Sequence, residues 1–234
     1  MKKKGIVLFG VSCALVFFGS MPSAGQKSCQ DYNGDVIPCK EPSYRYYDRD
    51  GHYEIHPTTY TKLDSHGNEV PDSAASWVMV RDNDTGLIWE VKRNMDGVKD
   101  YNDPHDSDNI YTWYDPNGTT DGGDAGTRGD GTDTRDFIKA LNNARFGGYS
   151  NWRMPSIKEL AYLVDYSVGS YRPDRNTIYI NTTYFPNTKL SYYWSSTSHS
   201  YFPYYGWAMY FHLVKDDWHY KNTAHYVRAV RYGQ

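Results

Sequence analysis

The sequence predicts one α+β domain built on a small, mostly antiparallel sheet with long irregular loops. Three observations carry that expectation. Short runs with the alternation of half-buried strands occur before residue 92 and again after residue 192. Two capped, amphipathic helix patterns lie between them. Stretches rich in Asp, Asn and Gly are too long to be simple connections. Strands, then two helices, then strands again give an α+β order rather than the regular alternation of a parallel sheet.

The first element is not part of that domain. Residues 1–25 read as a secretory signal peptide: Lys2, Lys3 and Lys4 precede an apolar run over residues 6–18, and Ser23, Ala24 and Gly25 supply small residues for cleavage. The run is shorter than the roughly 20 apolar residues that span a bilayer. A lipid anchor on Cys13 is not expected, because Cys13 lies inside that run. No later stretch is apolar enough to cross a membrane, so the expected product is exported (periplasmic, cell-surface or secreted) without membrane insertion. Export leaves Cys29 and Cys39, which flank Asn33-Gly34-Asp35 and are read as one local disulfide in an oxidising compartment.

Residues 26–75 form an irregular Tyr-rich extension full of turn formers, with residues 53–55 and 59–63 as short candidate strands. The domain proper occupies residues 76–234. Residues 77–80 and 87–91 are the arms of a hairpin around Asp82-Asn83-Asp84-Thr85-Gly86. A long loop over residues 94–133 surrounds one aromatic strand at residues 111–114. Asp133 then caps a helix that presents Phe137, Ile138, Leu141 and Ala144 on one face and stops at Gly147-Gly148. Ser156 and Glu159 make the capping box of a second helix, whose apolar stripe is Ile157, Leu160, Leu163 and Val164. Residues 193–196, 207–212, 219–220 and 226–231 read as late strands, with residues 215–221 in a turn between them.

Composition bounds the function. The 24 Tyr and 7 Trp supply large buried area but carry polar tips that need partners. Residues 26–140 hold 12 Lys+Arg against 23 Asp+Glu, whereas residues 141–234 hold 10 against 5. Such asymmetry describes either a dipolar surface with a basic face or two halves that neutralise each other by packing. Export and net acidity argue against nucleic acid.

Two aromatic clusters look like a binding face: residues 215–221, with Lys215, Trp218, His219, Tyr220 and Lys221, and residues 201–205, with Tyr204 and Tyr205. Sugar rings pack apolar C–H faces on aromatic rings, and sulfates or carboxylates attract Lys and Arg. Lys215, Lys221, Arg172 and Arg175 would edge such a patch. Trp89, Trp113, Trp152, Trp194 and Trp207 read as packing residues. In the acidic loop, Asp115, Asn117, Asp121 and Asp124 are candidate calcium ligands, although Asp and Asn occupy turns for backbone reasons alone and the turn reading is favoured. His52 and His56 lack a third zinc ligand, and Ser195, His212 and His219 match no nucleophile motif, so an enzyme is not expected.

Several motifs in order resemble the Lcl C-terminal domain family of exported bacterial domains. They are Asn33-Gly34 and Val36-Ile37-Pro38 before Cys39, the Asp84-Thr85-Gly86-Leu87-Ile88-Trp89 turn and strand, and Gly122-Gly123-Asp124-Ala125-Gly126-Thr127. Residues 148–160, Tyr184-Phe185-Pro186-Asn187, residues 193–197 and the terminal Tyr226-Val227-Arg228-Ala229-Val230-Arg231 complete the match. The resemblance implies a C-type-lectin-like fold, two helices flanking a small sheet. It also implies recognition of carbohydrate or an anionic glycan in adhesion or envelope interaction, because one member is a collagen-like adhesin resembling a trimeric binder of sulfated glycosaminoglycans. This sequence departs from that adhesin in having no Gly-X-Y repeat, and a homo-oligomer stays open. The other class of reading is a structural or protein-interaction module of the envelope. A looser similarity to formylglycine-generating enzymes runs through Arg153-Met154-Pro155 and Glu159, without the cysteine pair their chemistry needs.

Overall fold

The computed structural model describes residues 58–166 and 176–233, together with the backbone of two short paired strands, β1 (Cys29–Gln30) and β2 (Val36–Ile37). The signal segment, residues 53–55, Cys39, His52, His56, Arg172 and Arg175 lie outside the described residues.

The fold is mixed α+β, with two helices and several small sheets whose named strands all pair antiparallel. β3 (Tyr60–Leu63), β4 (Met79–Asp82), β5 (Leu87–Glu90) and β11 (Val230–Tyr232) form a four-stranded sheet in the order β11-β5-β4-β3. Its edge strand β3 comes from the segment read as an extension, so the sheet recruits residues before position 76. β7 (Tyr192–Ser198), β8 (Tyr205–Tyr210) and β9 (Lys215–Tyr220) form a three-stranded sheet in that order. Residues 215–220 are therefore a strand, not the expected turn; the reversal lies just before it, where Val214 takes a left-handed φ of 49°. β6 (Tyr111–Thr112) pairs with β10 (Ala224–His225).

Both helices form where their caps are. Asp133 accepts a hydrogen bond from the Asp136 N–H and starts α1 (Thr134–Asn143), which buries Phe137 and Leu141. α1 ends at Ala144, and Gly147 follows in the left-handed region, where a Cβ would come within 2.5 Å of the Met79 Sδ. Ser156 and Glu159 form a complete capping box on α2 (Ile157–Tyr162).

Alternation along the central strands divides the core in two. Val80, Leu87, Trp89 and Val230 face a cluster with Leu160, Leu163, Phe185, Tyr193 and Met209. Met79, Ile88 and Ala229 face a second cluster with Phe137, Leu141, Trp113, Trp152 and Trp194. Each cluster thus pairs one helix with both main sheets. Two buried indoles bridge the sheets: Trp113 Nε1 donates to the Ser195 carbonyl at 2.8 Å, and Trp194 Nε1 to the Tyr111 carbonyl at 2.9 Å, tying β6 to β7.

Charge is buried here too. Glu90, at the end of the wholly buried β5, meets Lys92 and His105, each at 2.9 Å, and accepts the Ala229 N–H at 3.0 Å. Burial alone would raise the Glu90 carboxyl; Lys92, His105 and the Ala229 N–H outweigh it and hold it well below the ordinary carboxylate range. The same burial lowers Lys92, so each charge persists because of the other. Arg228, fully buried, donates to the Glu90 carbonyl at 2.8 Å and to Thr188 Oγ1 at 3.0 Å. Among the described residues, no helix is long and apolar enough to cross a membrane.

Candidate functional site

The candidate site is a platform of aromatic rings on one face of the three-stranded sheet. Strand alternation puts Tyr205 and Trp207 of β8 on one face, with Trp218 and Tyr220 of β9 beside them. The register aligns Tyr205 with Tyr220 and Trp207 with Trp218. Tyr205 meets Tyr220 at 4.2 Å between ring centroids, and meets Trp218 edge-on at 4.7 Å. The connection from β7 to β8 extends the platform. Tyr204 lies nearly parallel to Tyr220, with centroids 6.1 Å apart, and Phe202 lies 6.3 Å from Trp218. His199 stacks against Trp207 at 5.7 Å and 9°. Its Nδ1 accepts the N–H groups of Tyr201 and Phe202, which fixes the turn carrying those rings.

The rings pack on one another, with Tyr205 and Trp207 half-buried and the outer ones open to solvent: Tyr204 is 46% exposed, Trp218 42% and Tyr220 54%. Contiguous exposure of this kind marks a contact surface. The Tyr205 phenol is pushed up to about 12, first by its hydrogen bond with Tyr220. It remains a neutral donor and acceptor across physiological pH.

Of the expected contact residues, Tyr204, Tyr205, Trp218 and Tyr220 converge. The polar ones do not. Lys215 projects from the opposite face of β9 and pairs with Asp217 at 2.6 Å. That hydrogen bond raises the Lys215 ammonium and lowers the Asp217 carboxyl. His219 also faces away, packed between Tyr192 at 4.2 Å and His225 at 4.5 Å. Lys221 is buried rather than exposed at a rim. Its Nζ donates to the Asp121 and Asp124 carbonyls at 2.7 and 2.5 Å and lies 3.9 Å over the Trp113 ring.

The expected basic face does not assemble among the described residues. Arg228 and Arg231 are buried, Arg231 stacking on Tyr149 at 3.4 Å. Arg153 pairs with Glu159, and Lys189 with Asp108 from the acidic half. Most described positive charge of the last third is thus neutralised or enclosed by packing, the other of the two outcomes the composition left open.

The acidic loop is organised as turns. Asp115 Oδ1 accepts the Asn117 N–H, Asp121 Oδ1 the Gly123 N–H and Asp124 Oδ1 the Gly126 N–H, while Asn117 Oδ1 accepts from Thr119. Where a calcium ion would neutralise the loop, the Lys221 ammonium sits instead. Burial lowers its pKa, opposed by Asp124, Asp121 and Asp115. Among the described residues, no group of three or more His, Cys, Asp or Glu side chains converges to hold a metal ion. Gly126 is needed at its position, since its φ is +82° and a Cβ would strike the Trp113 carbonyl.

Nor do Ser195, His212 and His219 meet as a triad. Ser195 Oγ donates to the Trp207 carbonyl at 2.7 Å, and His212 Nδ1 lies 2.7 Å from the Thr177 carbonyl. Two platform members escaped the sequence reading. Trp207 has the sequence pattern of a packing residue, and His199 lies outside both aromatic clusters. Reading residues 215–220 as a strand would have found Trp207, because 205, 207, 218 and 220 then share a face.

The His219–His225 pair makes stability pH-dependent. Burial, then the neighbouring His219, depresses His225 from 6.5 to about 4, and burial also lowers His219. Tyr192 and Trp194 pack on the pair, and Asp217 and Lys215 act on His219. A folded-state pKa below the unfolded value means the unfolded chain binds the extra proton first, so stability is full above pH 6.5 and falls as pH drops towards 4. Urea unfolding across that window is expected to lose roughly 3 kcal/mol, and His225→Phe to flatten most of the loss. An unchanged profile in the variant would move the effect elsewhere.

No curated protein and no solved structure matched the chain. The Lcl C-terminal domain family matches residues 78–231, which takes in every strand from β4 to β10, both helices and the whole ring platform. On that match the chain belongs to the Lcl C-terminal domain family.

Proposed function

We propose that this chain is an exported carbohydrate-binding domain, with a C-type-lectin-like arrangement, whose contact surface is the ring platform of Tyr204, Tyr205, Trp207, Trp218 and Tyr220. The single observation that carries the reading is the run of packed rings across β8 and β9, half-buried on β8 and exposed on β9. The rings are Tyr and Trp rather than Leu and Ile. Such rings offer an apolar face to sugar C–H groups and a polar tip to hydroxyls. They stand on a hydrogen-bonded sheet, so little ordering entropy is lost on contact. Adhesion or envelope interaction is the role that suits an exported domain of this kind. Calcium has no assigned part, since the acidic loop is closed around Lys221.

The test is a glycan screen of the wild-type chain beside Trp218→Ala. Binding that needs Trp218 supports the reading. A chain that binds no glycan but captures a defined envelope protein through the same rings would replace it with a protein-interaction module, the second function class that an aromatic surface fits.

A further inference from the structure

The charges around the platform say what kind of glycan it takes. Three observations bear on this. First, none of the cation–ring contacts among the described residues involves a platform ring. Lys215 is on the other face of β9 with Asp217, and the Lys221 ammonium is enclosed beneath the acidic loop. Second, the carboxylate of Asp216 shares the ring-bearing face of β9 by alternation with Trp218 and is exposed.

Third, the acidic loop lies directly against the platform's margin. Ser198 Oγ donates to the Asp121 carbonyl at 3.0 Å, the Lys221 N–H donates to the Tyr204 carbonyl at 2.9 Å, and Gly123 faces Pro203. Gly122 and Gly123, both with positive φ, permit that approach; a Cβ on Gly122 would collide with Ser198. The stretch from Asp121 to Asp124 is thereby held at the platform's margin, with the Lys221 ammonium donating to the Asp121 and Asp124 carbonyls.

The geometry points to an uncharged glycan as the ligand: a neutral hexose chain whose ring faces stack on Tyr205, Trp218 and Tyr220. Asp216 and the acidic loop act against sulfated or carboxylated polymers. Specificity by repulsion needs no contact with the correct ligand, only a cost to the wrong one. A like charge held near a partly desolvated surface supplies that cost. This rests on the platform being the binding surface, and goes beyond it by fixing the charge class. Loss of binding on adding sulfate to an otherwise identical sugar is the signature.

The experiment uses an array of neutral hexo-oligosaccharides, each printed beside its sulfated form, and probes it with the wild-type chain, Asp216→Asn and Trp218→Ala. The expected result is binding to neutral members, at least about ten-fold weaker binding to their sulfated forms, and no more than about two-fold change for the neutral members between low and high salt. Asp216→Asn is expected to narrow the neutral-to-sulfated ratio about three-fold. Sulfated members bound more tightly, in a Trp218-dependent and salt-sensitive manner, would overturn the charge assignment and leave the platform standing. Absence of any glycan binding, or binding indifferent to Trp218→Ala, would remove the platform reading and this inference with it.

Discussion

Trp218→Ala is expected to weaken glycan binding about 30-fold or more while leaving the melting temperature within about 2 °C of the wild type. The two halves of that expectation come from one fact. Trp218 is open to solvent on its outer face, yet it contacts Tyr205, Phe202 and His199 on its inner edge. Truncating it costs the folded domain only edge contacts. The ligand loses its central ring, and central aromatic anchors carry about 2 kcal/mol or more in well-formed contacts. Tyr220→Ala is expected to follow in the same direction with a smaller loss, because Tyr204 and Tyr205 remain beside it. Lys215→Ala, on the opposite face, is expected to leave binding within about two-fold. Calorimetry of the three variants would show the order; a loss with Lys215→Ala equal to that with Trp218→Ala would point to a contact surface around the edge of β9 instead.

Glu90→Gln is expected to destabilise the fold by about 3–5 kcal/mol. The carboxyl has no exposure and serves Lys92, His105 and the Ala229 N–H together. An amide keeps the shape but leaves the Lys92 ammonium buried without a counter-charge beside the Arg228 guanidinium. Domains are typically stable by only about 5–15 kcal/mol, so the variant should melt roughly 10 °C lower. Adding Lys92→Met to Glu90→Gln is expected to restore part of the loss, since the stranded charge goes with it. The comparison requires only urea unfolding of the two variants. A Glu90→Gln chain as stable as the wild type would mean that the pair is not ionised in the folded state.

The helices were legible because their signals are local. Asp133, the Ser156–Glu159 box and the apolar spacing through Leu141 and Leu160 act within one or two turns, and the structure uses them as the sequence implies. The β4–β5 hairpin was legible for the same reason, its turn being sealed by Asp82 Oδ1 accepting the Asp84 and Thr85 N–H groups. What stayed hidden depended on distant partners. Residues 215–220 begin Lys-Asp-Asp and have no local strand signature; pairing along β8 makes them one. Lys221 reads as a surface cation until the loop 100 residues earlier closes over it. Lys92 and Arg228 look like ordinary charges and are core residues, because Glu90 meets both. Of the excess cations after residue 141, Arg153, Lys189 and Lys215 are paired and Lys221, Arg228 and Arg231 are buried, an outcome set by distant partners.

The most direct test of the ring platform follows the indole N–H resonances of the seven tryptophans while a neutral hexo-oligosaccharide is added to the wild-type chain. The expected result is movement of the Trp207 and Trp218 signals, with Trp89, Trp113, Trp152 and Trp194 still in place because they are buried in the two cores. Saturating glycan that leaves Trp218 unmoved, or shifts only the buried indoles, would contradict the assignment of this face as the binding surface.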